Sequence, residues 1–217
     1  MHTPILITGS DHPLQRDLIY EFLNRSTPLY VTAQPETASP GAPQDERVHP
    51  LIWSQRSLIS TGSLVFQADR EMGGLQQTVV LCGPEGGGEA LHEMEGASIE
   101  QRCDHAYKGY LFLLREILSL YMRRRAGELT VVWYDGGTEV LPPFDASLKG
   151  MIRGLVKSLL VYYEEEPITV RGLQISGGES REGARWVVEM MVDKAERTAG
   201  RWHQMGQRGG LIPFRRG

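Results

Sequence analysis

The residues best placed for chemistry follow the first apolar run of the chain. Residues 4–9 (PILITG) end in a glycine turn, which is typical of a buried parallel strand. The turn and the following helix start read Thr8-Gly9-Ser10-Asp11-His12-Pro13-Leu14-Gln15. A helix N-terminus binds phosphate through its free backbone N–H groups. Here Ser10 or Asp11 is expected to cap the helix, with Pro13 in its first turn, so that the helix end is satisfied internally.

Other candidate sites are weaker. Residues 83–88 (GPEGGG) match neither the Rossmann spacing nor a P-loop, and we expect a flexible loop there. The six histidines are scattered, and residues 92–95 (HEME) are not a zinc-helix pattern, so no metal site is predicted. The basic clusters are predicted to be solvated helix and tail ends; they are Arg123-Arg124-Arg125, Arg208, Arg215 and Arg216.

Composition limits the class of protein. The chain has 217 residues, enough for one domain with a full core, and its formal net charge of -4 argues against general nucleic-acid binding. No stretch reaches the roughly 18 to 20 apolar residues that a membrane span needs, and the N-terminus lacks a signal-peptide pattern. With only Cys82 and Cys103, no disulfide framework is implied. We therefore expect a cytoplasmic protein.

Strands and helices are predicted to alternate along the chain. The strands are placed at 4–9, 28–33, about 49–53, 78–83, 128–135 and 168–176. The helices are placed at about 12–24, 58–72, 99–124, 146–163 and 182–196, with a mobile segment at 84–97. This alternation implies right-handed βαβ crossovers in one doubly wound, mainly parallel α/β domain spanning 1–217, of which 205–217 is a basic tail.

The order of these elements resembles that of the short-chain dehydrogenase/reductase family over nearly the whole chain. The opening PILITG is similar to the first strand and Thr-Gly turn of its pteridine-type reductases. Residues 109–133 resemble the long interface helix and the fifth strand, and residues 147–178 the active-site helix and the sixth strand. Residues 198–206 (TAGRWHQMG) resemble the closing strand. The resemblance implies a Rossmann-like fold.

The resemblance also implies a catalytic set of Asn, Ser, Tyr and Lys, most of which is missing. Lys149 stands at the lysine position and Asp145 at the tyrosine position, where an i,i+4 ion pair between them is expected. An aspartate, with an ordinary pKa of about 3.9, has no proton to donate at neutral pH. The serine position falls within 134–137, which holds no serine, and the asparagine position is Ala106. Tyr134 is the remaining candidate for a displaced phenol.

The cofactor implied by the family is NADP or NAD, and the sequence departs from its motif. The family's turn reads Thr-Gly-x-x-x-Gly-x-Gly, whereas Pro13 and Gln15 replace its last two glycines here. If a dinucleotide bound, the resemblance would place it against Thr8, Gly9, Gln34 and Lys149. Gln34 carries neither the acidic signature of NAD nor the basic signature of NADP. The expectation is therefore that no cofactor binds.

The two long helices are predicted to mediate association. In the family, the helices corresponding to 99–124 and 146–163 build a four-helix dimer interface. Their apolar surface exceeds what one side of a sheet can cover, and seven residues carry this excess: Tyr110, Leu113, Ile117, Tyr121, Leu155, Leu159 and Tyr162. We therefore expect a homo- or hetero-oligomer through these helices.

Three functions remain open from the sequence. The first is a catalytically degenerate homologue that acts by association, either as a homodimer or as the inactive partner of an active reductase. The second is a divergent NAD(P)H-dependent oxidoreductase that uses Lys149 and an acid not yet identified. The third is a small-ligand sensor that uses the residual cleft at the carboxyl ends of the strands.

Overall fold

A computed structural model of the chain describes residues 3–9, 12–34, 45–84, 89–137 and 140–206. The described residues include one sheet of seven strands, which pair in parallel in the order β3-β2-β1-β4-β5-β6-β7. The strands are β1 Ile5–Thr8, β2 Leu29–Ala33, β3 Val48–Ile52, β4 Gln77–Cys82, β5 Glu128–Tyr134, β6 Thr169–Ile175 and β7 Trp202–Gln204. The predicted strands and the doubly wound topology are confirmed.

The inner strands are buried on both sides, because helices cover both faces of the sheet. The helices are α1 Pro13–Leu23, α2 Leu58–Glu71, α3 Gly96–Arg102, α4 Gly109–Arg124, α5 Pro143–Tyr162, α6 Ser180–Val188 and α7 Ala195–Thr198. One core contains buried residues of α1 and α6, and the other contains buried residues of α2, α4 and α5.

Three helix boundaries differ from the prediction. The helix expected at 99–124 begins at Gly96 and contains a π-helical segment, Cys103–Lys108, between α3 and α4. The start of α5 lies at Pro143 rather than 146, because a proline is compatible with a first helical turn. The last predicted helix begins at Ser180, passes through a second π-helical segment, Glu189–Asp193, and ends in α7.

Four of the seven residues predicted to form an interface lie in the core instead. Tyr110, Leu113, Ile117 and Tyr121 are buried on α4, at 8%, 0%, 0% and 0% exposure. They belong to the core that contains residues of α2 and α5, so their apolar area is already covered within the chain. The sequence pattern overestimated the exposed part of α4, because α2 as well as the sheet packs against it. Of the remaining three, Tyr162 is 79% exposed.

The end of the sheet is held by a close approach between β6 and β7. A Cβ atom at Gly172 would lie 2.2 Å from the Trp202 ring and 2.9 Å from Val156 of α5. Glycine therefore lets the indole pack directly against the strand. Further along, residues 176–179 alone connect β6 to α6. Among the described residues, no helix is long and apolar enough to span a membrane.

Candidate functional site

The candidate site lies at the carboxyl ends of the strands, between β1 and β4. The strand order reverses there, because β1 is followed on one side by β2 and on the other by β4. In open α/β sheets, ligands bind in the crevice at this switch point. The β1–α1 turn forms one wall, and the ends of β4 and β5 form the other.

Each backbone N–H group described in the β1–α1 turn already has a partner. Gly9 N–H donates to Thr32 Oγ1 at 3.1 Å, and His12 N–H donates to the Gly9 carbonyl at 3.1 Å. Leu14 N–H donates to His12 Nδ1 at 3.2 Å, and Gln15 N–H donates to the His12 carbonyl at 2.9 Å. These four N–H groups are therefore committed to the chain itself.

His12, rather than Ser10 or Asp11, caps α1. The predicted caps lie outside the described residues, but the ring of His12 accepts the bond from the second helical residue. Pro13 occupies the first helical position, as predicted, where it needs no hydrogen-bond partner. Nδ1 must be unprotonated to accept this bond, so a neutral ring carries its proton on Nε2.

The His12 ring reaches across the crevice to the ends of two other strands. A Cβ atom at Gly83, just beyond β4, would lie 2.7 Å from His12 Nε2 and 2.7 Å from the Tyr134 carbonyl oxygen. The rings of His12 and Tyr134 are 5.9 Å apart between centroids. Burial lowers the pKa of the His12 imidazole to about 4, although a hydrogen bond with the Cys82 backbone opposes this shift. The imidazole is therefore neutral at pH 7.

The described part of this turn offers a dinucleotide pyrophosphate no free N–H donor. Such a group needs free N–H donors at the helix N-terminus, together with space for close approach. Here the described N–H groups are engaged, Pro13 has none, and the His12 ring stands between β1 and β4. The Gln15 side chain also lies across the ends of the strands, where it donates to the Thr32 carbonyl at 3.2 Å.

The predicted cofactor residues lie along this edge of the sheet. Thr8 is buried at the end of β1 and donates to the Val79 carbonyl at 3.4 Å, and Gly9 follows it. Gln34 comes directly after β2 and is partly buried. Lys149 lies on α5, where its Nζ is 3.2 Å from Asp135 Oδ2 at the end of β5. Thr8, Gly9 and Gln34 therefore end neighbouring strands, whereas Lys149 belongs to the β5 side.

Asp135 organises the end of β5. Its carboxylate is 5% exposed and accepts a hydrogen bond from the Lys149 ammonium group. The Oδ1 atom of Asp135 also accepts the Gly177 N–H group at 3.0 Å and the Gly137 N–H group at 3.4 Å. This carboxylate therefore ties α5, the turn after β5 and the turn after β6 together.

Asp145 and Lys149 have different ion-pair partners, so the predicted i,i+4 pair between them is wrong. Asp145 is fully buried, and its Oδ1 lies 3.1 Å from Arg102 Nη2. The Arg102 guanidinium also lies over the Phe144 ring, 4.2 Å from the centroid. Arg102 ends α3, which the strand order brings against the start of α5. A partner from another helix therefore takes the place of the local one.

Two further titratable groups near the site, Tyr134 and Cys82, have raised pKa values. Burial and the neighbouring carboxylates of Asp135 and Asp17 raise the pKa of Tyr134, whose hydroxyl donates to the Gly178 carbonyl at 3.3 Å. Burial also raises the pKa of the Cys82 thiol. A buried thiol with a raised pKa is a poor nucleophile. Within the described part of the chain, no group of His, Cys, Asp and Glu residues is placed to hold a metal ion.

Comparison with solved structures identifies the architecture. The chain is similar to ElxO with NADP bound, at 14% identity and a TM-score of 0.76, over 94% of this chain and 97% of that one. It is similar to levodione reductase at 15% identity and a TM-score of 0.75, over 94% and 97% of the two chains. The chain has the short-chain dehydrogenase/reductase fold. A further match is an oxidoreductase of that family from Brucella ovis, in complex with a partially ordered NAD.

The Brucella ovis enzyme is 13% identical to this chain, with a TM-score of 0.74 over 94% of this chain and 99% of that one. No protein-family model and no curated protein sequence matches the chain. The chain is therefore similar to these proteins in fold, whereas its sequence has little in common with theirs.

The structure describes the residues that the resemblance assigned to the family's catalytic set. Ala106, at the asparagine position, lies in the first π-helical segment and is buried. Asp135 falls within the segment that the resemblance assigned to the serine, and Asp145 is the residue that it assigned to the tyrosine position. Lys149 is retained, but its ammonium group is bound to Asp135.

Sequence reasoning missed three residues that shape this site. His12 stands directly before Pro13, a place where an N-cap is common, but only the fold shows its ring reaching β4. Asp135 is the first acidic residue after a buried strand, which is a detectable signal for a residue at the edge of the sheet. Arg102 gave no signal, because its partner is 43 residues away in the chain.

Proposed function

We propose that this chain is a catalytically degenerate member of the short-chain dehydrogenase/reductase family that acts by association. It works as a homodimer or as the inactive partner of an active reductase, and it binds no dinucleotide. The observation that carries this proposal is the closed β1–α1 turn. Its described N–H groups are bonded within the chain, and the His12 ring stands where a pyrophosphate would approach.

The residues at the catalytic positions support the loss of hydride-transfer chemistry. Carbonyl reduction needs an acid that gives a proton to the developing alkoxide. Asp145 is instead the buried ion-pair partner of Arg102, and Lys149 is bound to Asp135. Neither group is in a position to give a proton to a substrate oxygen or to hold a ribose.

The outer face of α5 supports association. Gly150 and Gly154 lie in the middle of this helix, and a Cβ atom at either would meet no atom within 4 Å. A glycine inside a helix costs about 0.5–1 kcal/mol relative to alanine, and none of the described residues comes close enough to require one at these positions. Close approach of a partner backbone would offset that cost. Val161 and Tyr162, 75% and 79% exposed, extend the same helix with apolar surface.

Thermal unfolding with and without millimolar NADPH or NADH tests the cofactor part of the proposal. We expect no shift with either dinucleotide. A cofactor present at 100 times its Kd would stabilise the protein by about 2.7 kcal/mol, which is easily visible. Such a shift would contradict the proposal and favour the oxidoreductase alternative.

Sedimentation velocity of Gly154→Leu tests the association surface. A leucine at this position would hold a partner helix away, so we expect a dimer for the wild type and a monomer for the variant. Gly62→Leu is the matched control, because Gly62 is also inside a helix with nothing within 4 Å of its Cβ position. The control should remain a dimer. A variant that dimerises as well as the wild type would exclude this face of α5.

A divergent NAD(P)H-dependent oxidoreductase is the second candidate. It is favoured by the dinucleotides named in similar structures, NADP with ElxO and NAD with the Brucella ovis enzyme, and by the retained Lys149. This alternative requires Lys149 to leave Asp135 on binding. Oxidation of NADPH in the presence of carbonyl substrates, lost in Lys149→Met, would support it.

The proposed location is the cytoplasm. Cys82 and Cys103 are both free thiols in the structure. This agrees with a reducing compartment, where disulfides are rare.

A further inference from the structure

The short helix α3 has no face that is packed into the core. None of its seven residues, Gly96–Arg102, is buried, and none belongs to either core. Its N-cap residue, Glu95, makes no side-chain hydrogen bond to the helix. Buried residues flank α3 on both sides, with Met94 before it and Ala106 after it. Because a short helix without a buried face gains little stability from packing, specific contacts must hold α3 in place.

Arg102, the last residue of α3, connects this helix to the start of α5. Its Nη2 atom donates to Asp145 Oδ1 at 3.1 Å, and its guanidinium lies over the Phe144 ring, 4.2 Å from the centroid. The side chains of Arg102 and Asp145 are 15% and 0% exposed. A hydrogen bond between two charged groups is strong in such a buried place, and the ring adds a cation–π contact.

The π-helical segment after α3, Cys103–Lys108, has its own contact with α5. The Tyr107 ring stacks on Phe144, with 5.5 Å between centroids and 9° between planes, and its hydroxyl is hydrogen-bonded to Ser147. A π-helical segment interrupts regular α-helical bonding and is frequent at functional sites. The interruption between α3 and α4 therefore provides a place where α3 can move while Tyr107 and α4 stay in position.

A second contact of α3 lies at the surface. In the orientation of its amide group that satisfies both residues, Gln101 accepts a hydrogen bond from Arg56 Nη2 at 2.8 Å. Both residues are exposed, so water and salt compete with this contact and it contributes little stability. The buried contact between Arg102 and Asp145 is therefore the stronger of the two.

We propose that α3 is a strap that Arg102 holds against the start of α5 and that opens as a unit at the π-helical segment. In the closed form, the Asp145 carboxylate is hidden from solvent, one helical turn before Lys149. Opening separates Arg102 from Asp145 and exposes this carboxylate together with the Phe144 ring. The inference does not depend on the proposed function, because it concerns neither dinucleotide binding nor association.

Hydrogen exchange of the wild type at low urea concentrations tests whether α3 opens as a unit. The amides of residues 99–103 should exchange by an opening that hardly depends on urea, because lifting one short helix exposes little surface. The amides of residues 113–121, in the buried part of α4, should show the steep urea dependence of global unfolding. If both groups exchange with the same steep dependence, α3 opens only when the whole domain unfolds, and the inference is overturned.

Two variants test whether Arg102 holds the strap closed. In Arg102→Ala, the amides of residues 99–103 should exchange at least about ten times faster than in the wild type, because a hydrogen bond between charged groups is worth a factor of ten or more. Asp145→Asn, which removes the charge from the other side of the contact, should act in the same direction.

Arg56→Ala is the matched control, because it removes an arginine that contacts the same helix at the surface. It should leave the exchange of residues 99–103 within about twofold of the wild type. Equal acceleration in Arg56→Ala and Arg102→Ala, or none in Arg102→Ala, would show that Asp145 does not hold the strap, and would overturn the inference. The wild-type measurement decides whether α3 opens even if Arg102→Ala does not fold.

Discussion

The free energy of unfolding of His12→Asn should fall less than that of the wild type as the pH is lowered. The folded imidazole has a pKa of about 4, against 6.5 for the unfolded chain, because folding buries the ring. The unfolded state therefore binds the proton more tightly than the folded state. The stability that depends on the neutral ring is fully present above about pH 6.5, is lost as the pH falls, and is gone near pH 4.

The size of this effect follows from the pKa difference. Each pKa unit corresponds to about 1.4 kcal/mol, so the complete loss is about 3 kcal/mol. Between about pH 7.5 and pH 5, linkage gives a loss of about 2 kcal/mol. Both values are upper bounds, because part of the His12 ring remains accessible to water.

Urea denaturation at a series of pH values measures the effect. Asparagine can still cap α1 with its side-chain oxygen, so His12→Asn should fold while losing the titrating group. The free energy of unfolding of the wild type should fall by about 2 kcal/mol more than that of His12→Asn over this pH range. His49→Asn, which removes an exposed histidine, should follow the wild type. If His12→Asn and the wild type lose stability in parallel, His12 is not buried as a neutral ring and the reasoning fails.

Two further predictions concern the ends of β5 and β6. Asp135→Ala should lower the free energy of unfolding by about 3 kcal/mol, because it leaves the Lys149 ammonium group without its carboxylate in a partly buried site; in urea denaturation, a loss as small as that of an exposed ion pair would contradict this. Gly172→Ala should destabilise by about 1–3 kcal/mol or prevent folding, since its Cβ atom would lie 2.2 Å from the Trp202 ring. By contrast, Gly62→Ala, on an open helix face, should raise the Tm, and the opposite order of the two glycine variants would refute the packing.

The sheet and its helices could be predicted from the sequence because local patterns carry them. A continuous apolar run such as 79–82 is typical of a strand buried on both faces, and helical spacing of apolar residues marks α1 and α5. Residues 48–72 also form the predicted strand and helix. The start of α2 is fixed by Ser57, whose side chain accepts the Ser60 N–H group as an N-cap. The alternation of these elements then leaves few topologies.

The departure from the family's phosphate-binding motif was also readable from the sequence. Pro13 and Gln15 are local substitutions whose consequences follow from the missing N–H group and the added side chain. The substitutions at the catalytic positions, such as Asp145, likewise depend only on position within the resemblance.

Tertiary structure alone decided which side chains meet. Arg102 reaches Asp145 across 43 residues of chain, and Lys149 turns to Asp135 rather than to the nearer carboxylate on its own helix. The His12 ring contacts β4 because the switch point places β1 beside β4. Such contacts depend on strand order and on the direction in which each helix face points, and neither is encoded by spacing along the chain. For the same reason, the sequence alone could not show which apolar residues of α4 lie in the core and which lie at the surface.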